Sequence, residues 1–228
     1  MASALLVCGA ANAGPQADVQ KLFDKASHET QSPIRFSDGS SKWIDGSVVY
    51  KLASGRAVIV KATHLALDTD GASPEIRKCD SSAQAGTALP GAHGEPIDSN
   101  ATPYIVLPRC DDSANKAICE KSPPYRQLGL QKGDLAAVIV GDKIAYAIAG
   151  DVGPEKKFGE GSIELHRRLG HEVIGAVKDK PTCAANVSLS QDTYLVVFPK
   201  SNDKWLANSN IEDAGMSLWN ALLAAEAK

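Results

Sequence analysis

Asp151 and Glu160 stand nine residues apart, in Gly150-Asp-Val-Gly-Pro154 and Gly159-Glu-Gly-Ser162. Two carboxyls on a loop bounded by Gly and Pro could hydrolyse a glycosidic bond: one gives a proton to the leaving oxygen, the other takes a proton from the attacking water. Hydrolysis with inversion needs them about 6.5 to 9.5 Å apart, and nine residues of chain allow that. The same residues could also serve no chemistry, with Asp151 capping a turn at Gly153-Pro154 and Glu160 favouring the N-terminus of a following helix. Spacing alone leaves both readings open.

Other acids compete less well. Glu164 falls in the first turn of that helix, where an acid is expected for dipole reasons. Glu155 has Lys156 and Lys157 beside it and is expected to be solvated. Asp68-Thr69-Asp70-Gly71 has alternate acids before a glycine, as calcium loops do, but lacks the remaining ligands at the required offsets. Asp68 and Asp70 therefore read as substrate-binding or second catalytic acids, or as an ordinary acidic turn. From His64 to Glu120 there are nine acids and four bases, a balance that would attract a cationic polymer.

The elements around these residues read as β. Val48 to Leu52 and Arg56 to Lys61, joined by Ala53-Ser54-Gly55, form a hairpin. Leu135 to Val140 and Lys143 to Ala149, joined by Gly141-Asp142, form a second, which delivers Asp151 at a strand end. His64–Asp68, Tyr104–Pro108 and Tyr194–Phe198 are further apolar strands. Ala72 to Pro103 is a long loop pinned by Cys79, and loops of that length are usually functional. Helices are expected over 14–32 (ended by Pro33), after the N-cap Ser162 up to Gly170, and over 211–227. Six or seven strands with two or three peripheral helices, and no strand–helix alternation, point to a mainly β, single-domain barrel, closed or nearly so, with long disulfide-pinned loops.

At 228 residues with 43% hydrophobic and 22% charged residues, the chain has the composition of an ordinary globular domain. A net charge of -3 without a basic stripe argues against a nucleic-acid partner, and no apolar run is long enough to span a membrane. Residues 1–13 end in Ala11-Asn12-Ala13 and read as the remnant of a secretory signal, leaving 14–228 as one catalytic domain. A lipoprotein reading through Cys8 is weaker, because Val7 precedes it. Cys79, Cys110, Cys119 and Cys183 then read as two disulfides of open connectivity. Cys110-x8-Cys119 lacks zinc-site spacing. Asn100 and Asn186 sit in glycosylation sequons. There is no Gly-x-Ser-x-Gly elbow and no phosphate-binding glycine loop. His166 and His171, five apart, are expected at the surface, and no metal or other cofactor is expected.

Leu67-Asp-Thr-Asp-Gly71, Tyr104-Ile-Val-Leu-Pro108, Gly133-Asp-Leu-Ala-Ala-Val138, Gly150-Asp-Val-Gly-Pro154, Gly159-Glu-Gly-Ser162 and Leu169-Gly170, in this order, resemble the family 75 glycoside hydrolases, the endo-chitosanases. The resemblance runs from about Val48 to Phe198. It implies endo-hydrolysis of the β-1,4 bonds of chitosan with inversion, in a secreted protein. It also implies that Asp151 and Glu160 are the essential pair, with Asp68 and Asp70 binding glucosamine ammonium groups. Desolvation at a buried strand end favours Asp151 as proton donor and Glu160 as base, with the reverse assignment open. By fold analogy the barrel resembles the double-psi barrels of some inverting endoglucanases and lytic transglycosylases. A monomer with chitosan as its partner is expected. The rivals are a hydrolase of chitin or peptidoglycan and a secreted carbohydrate-binding module without turnover.

Overall fold

The computed structural model describes residues 14–44, 46–91, 93–110, 121–177, 180–184, 187–201 and 208–227. In chain order the elements are α1 (Pro15–Ser27), β1 (Val48–Lys51), β2 (Val58–Ala62), β3 (Ala66–Asp68), α2 (Pro74–Arg77), β4 (Tyr104–Pro108), α3 (Pro124–Gln127), β5 (Leu135–Val140), β6 (Lys143–Gly153), β7 (Glu160–Ser162), α4 (Ile163–Arg168), β8 (Ile174–Val177), β9 (Lys180–Cys183), β10 (Thr193–Phe198) and α5 (Asn208–Glu226). Eight strands form one sheet in the order β1-β2-β10-β5-β6-β4-β7-β3, and β8 pairs with β9 alone. The sheet curls into a half-barrel. The architecture is mainly β, as expected. More strands and helices are present than the apolar runs indicate, because β7 has only three residues and β8, β9, α2 and α3 only four each.

Both expected hairpins form: Val49 pairs with Val60 across β1 and β2, and Ala137 with Tyr146 across β5 and β6. Gly141 turns the second with φ 56°, a left-handed conformation that costs glycine little. β10 lies antiparallel between β2 and β5. Every residue of β5 and β10 is buried, so both faces of the sheet are covered. That explains their unbroken apolar runs.

Alternation along the strands sorts the core into two sets. Val58, Val60, Ala136, Val138, Ala145, Ala147, Leu195 and Val197 face one side, packed with Leu165 and Phe158. Ile59, Ala137, Ile139, Tyr146, Ile148, Tyr194 and Val196 face the other, where α1 supplies Val19, Leu22 and Ala26 and α5 supplies Ile211, Trp219 and Leu222. Those triplets recur at helical spacing, so each helix has one stripe to bury.

Two further strand pairings are parallel and join segments far apart in sequence: β4 with β6, and β3 with β7. They create the site. The loop after β3 is fixed by a disulfide from Cys79 to Cys183 in β9, 104 residues away. Cys110 is also disulfide-bonded, while Cys119 and Cys8 lie outside the described residues. So do residues 1–13, Asn186 and most of the segment from Cys110 to Pro124.

Candidate active site

Asp151 does not sit at the end of its strand. β6 continues to Gly153, and the parallel register with β4 slips at this point: Ile105 pairs with Ala149 but Val106 with Asp151, leaving Gly150 unpaired. The bulge re-aims the next side chain. Only glycine fits there, because a Cβ on Gly150 would lie 2.7 Å from the Tyr104 Cβ. The long loop docks on the bulge through Leu89 N–H, which donates to the Gly150 carbonyl at 3.0 Å. Asp151 itself is 5% exposed, and its Oδ1 accepts from Ala88 N–H at 2.8 Å and Val152 N–H at 2.7 Å.

Glu160 opens β7, whose residue pairs place it beside Ala66 and put Ser162 beside Asp68. Gly153 leaves room for its carboxylate, since a Cβ there would lie 2.9 Å from Glu160 Oε2. Lys157 Nζ pairs with Glu160 Oε1 at 2.5 Å. Downstream, the Ser162 hydroxyl caps α4 by accepting from Leu165 N–H, and Gly170, with φ 73°, ends the helical segment as its sequence position indicates.

β3 brings the third and fourth acids. Asp68 Oδ1 accepts from Asp70 N–H at 2.9 Å, and Asp70 Oδ1 accepts from Gln84 N–H at 2.5 Å. Gly71 is obligatory here: its φ is 76°, and a Cβ would lie 1.9 Å from the Ile97 carbonyl oxygen. Asp68, Asp70 and Asp151 are all buried, each with a carboxylate oxygen within 4.8 Å of the others, and among the described residues this is the one group that could hold a metal ion. Burial pushes the Asp68 carboxyl up to about 8, reinforced by the charges of Asp70, Asp151 and Glu160. Asp70 is pushed up to about 7 by burial and by a hydrogen bond to the Asp151 carboxyl. Such carboxyls hold protons at pH values where ordinary ones have lost them.

These residues line one cleft of about 320 Å³, whose acids are Asp68, Asp70, Asp80, Asp151 and Glu160 and whose bases are Arg109 and Lys157. A larger cavity of about 760 Å³, between α5 and the turn after β10, has Arg56 and Lys200 but no carboxylate among its described lining residues. The four acids singled out by sequence thus converge, and the arrangement offers several carboxyls, Asp68 and Asp70 among them with raised proton affinity, beside a polar groove. That is the equipment of acid/base hydrolysis.

Sequence reasoning missed Asp80, Gln84, Arg109 and Lys157. Lys157 had a readable signal, standing three residues before Glu160. Two expectations are corrected. Glu155 is not solvated but 1% exposed, because Ser37 reaches over it and donates from its N–H and its hydroxyl. His166 is not a surface residue but fully buried, because α4 turns it onto β3, where Nε2 meets the Ala66 carbonyl at 3.2 Å. Burial lowers it to about 4.

No helix among the described residues is long and apolar enough to cross a membrane. No curated protein matches the sequence. The family described as fungal chitosanase of glycosyl hydrolase group 75 matches residues 65–219, which include all four candidate acids. The chain belongs to this family of glycoside hydrolases, the chitosanases of group 75.

Proposed function

We propose that the protein is a secreted, endo-acting chitosanase that cleaves β-1,4 linkages with inversion, Asp151 serving as general acid and Glu160 as general base. The observation that carries this reading is that Asp151 and Glu160 line the same acidic cleft inside the family-matched region. Asp151 gives its proton to the glycosidic oxygen as the bond from that oxygen to C1 breaks. Glu160 takes a proton from a water whose oxygen bonds to C1 from the opposite face.

The surroundings support this division. Lys157 holds Glu160 as an ion pair, an arrangement suited to a base. Asp70, hydrogen-bonded to Asp151, keeps a proton within reach of the acid. Asp68 and Asp70 face the bound sugar as protonated carboxyls in acid solution, offering hydrogen bonds to its amino and hydroxyl groups. Asp80, which shows no such burial, is the better partner for an ammonium. The Cys79–Cys183 disulfide fits an oxidising, extracellular setting.

The test is to expose the purified protein to highly deacetylated chitosan, chitin and peptidoglycan, and to read the anomeric configuration of fresh product by NMR. Reducing ends from chitosan alone, released as the α-anomer, are expected. Release from chitin or cell walls instead would move the substrate, β-anomer would remove the water mechanism, and binding without release would favour a non-catalytic module.

A further inference from the structure

One short loop, Pro154 to Gly159, joins β6 to β7, with Asp151 two residues before the end of β6 and Glu160 at the first residue of β7. Its side chains divide between two sides. Lys157 faces the cleft, while Glu155, Lys156 and Phe158 face a strap made by residues 33–44, ahead of β1. Glu155 Oε1 accepts from Ser37 N–H at 2.7 Å, and its Oε2 from the Ser37 hydroxyl at 2.6 Å. Lys156 pairs with Asp38, and its carbonyl accepts from Ile44 N–H at 3.1 Å. Trp43 packs between Phe36, edge to face, and Phe158, tilted, with ring centroids 5.0 and 6.0 Å away. The strap is itself anchored: Gln127 of α3 exchanges two hydrogen bonds with the Arg35 backbone, at 2.8 and 2.9 Å.

The strap lies outside the family-matched region, which begins at residue 65, yet it grips the loop that carries Glu160. Glu155 is the most deeply buried of its charged contacts, at 1% exposed. Because its carboxylate is buried, it cannot exchange Ser37 for water without moving the loop.

We propose that Glu155 is a positioning residue for Glu160, its buried carboxylate locking the Pro154–Gly159 loop to the strap at Ser37 and so fixing where Glu160 stands in the cleft. This rests on the reading of Glu160 as a catalytic carboxylate. A group displaced by an ångström can lose about 100-fold in rate while binding persists, so the effect belongs in kcat. Glutamine at this position preserves the lock, because the Ser37 hydroxyl can turn to accept from the amide while Ser37 N–H donates to its oxygen.

The experiment is steady-state kinetics on soluble chitosan with the full chain and its variants. Glu155→Ala is expected to lower kcat about 10-fold to 100-fold with KM within about 2-fold, Glu155→Gln to recover most of it, and Ser37→Ala to show a smaller fall in the same direction. Leu22→Ala, on α1 at the opposite face of the sheet, supplies a loss of melting temperature without a loss of kcat. The proposal is overturned if folded Glu155→Ala keeps the wild-type kcat, or if Leu22→Ala loses kcat in step with stability. Should Glu155→Ala fail to fold, an unchanged kcat in Ser37→Ala overturns it. An inactive Glu160→Gln beside a fully active Glu155→Ala removes only the positioning role, whereas a fully active Glu160→Gln removes the catalytic reading beneath it.

Discussion

Lys157 Nζ lies 2.5 Å from Glu160 Oε1, an ammonium set against a carboxylate in a cleft whose five acids outnumber its two bases. A cation there repels a polycationic substrate, so its presence calls for a role in the chemistry. Lys157→Met is expected to lower kcat about 10-fold or more by freeing Glu160 from its partner. At the same time KM for chitosan falls at low ionic strength, where repulsion is least screened. Michaelis kinetics at two salt concentrations check this, and an unchanged kcat would leave Lys157 without a catalytic part.

The bulge at Gly150 makes a second prediction. Gly150→Ala places a methyl 2.7 Å from the Tyr104 Cβ, and neither backbone can yield without disturbing the β4–β6 register. A loss of about 1 to 3 kcal/mol is expected, together with a fall in kcat because Asp151 follows directly. Denaturant midpoints and kcat, measured on the same preparation, decide it. Wild-type values for both would show that the bulge does not aim Asp151.

Asp68 and Asp70 contribute to the pH dependence of stability, as does Asp134, which burial pushes up to about 6. Their carboxyls are raised to about 8 and about 7 from an ordinary 3.8, so the folded protein keeps protons that the unfolded chain has released. Where the folded state binds more protons, stability declines as pH rises. These two acids therefore cost stability progressively from about pH 4 to about pH 8. Asp68→Asn is expected to flatten that decline and to stabilise the protein at pH 9 by on the order of 2 kcal/mol. Denaturant titrations from pH 4 to 9 provide the check, and an unchanged slope would contradict the assignment.

His166 acts in the opposite sense. Its imidazole is lowered to about 4 from 6.5 by burial, with His171 adding to the effect. The unfolded chain takes up this proton first, so the contribution is complete above 6.5 and is lost as pH falls towards 4. His166→Gln keeps a donor for the Ala66 carbonyl and should abolish this acid-side loss. A melting series between pH 4 and 7 tests it, with an undiminished slope as the contrary result.

Local signals made the hairpins, the Ser162 cap and the Gly170 stop legible, because each is decided by residues within a few positions of one another. The candidate acids were legible from the ordered motifs around them. What was not legible depends on contacts between distant segments. The β3–β7 pairing sets Asp68 beside Ser162, and three-residue strands carry too little alternation to show a partner. Glu155 looked solvated because two lysines flank it, yet its burial comes from Ser37, 118 residues earlier. His166 follows a polar residue pattern on α4, and only the packing of that short helix on β3 hides it. The slip at Gly150 likewise exists only in the register with β4, so Asp151 read as the end of a strand that in fact continues past it.

The central claim is that Asp151 and Glu160 are the hydrolytic pair, and release of reducing ends from highly deacetylated chitosan by Asp151→Asn and Glu160→Gln tests it most directly. Both variants should fold, with circular dichroism and melting behaviour close to the parent, and both should lose at least about 1,000-fold in kcat, the order expected when a general acid or base is removed. A folded variant of either kind that retains most of its activity would contradict the account.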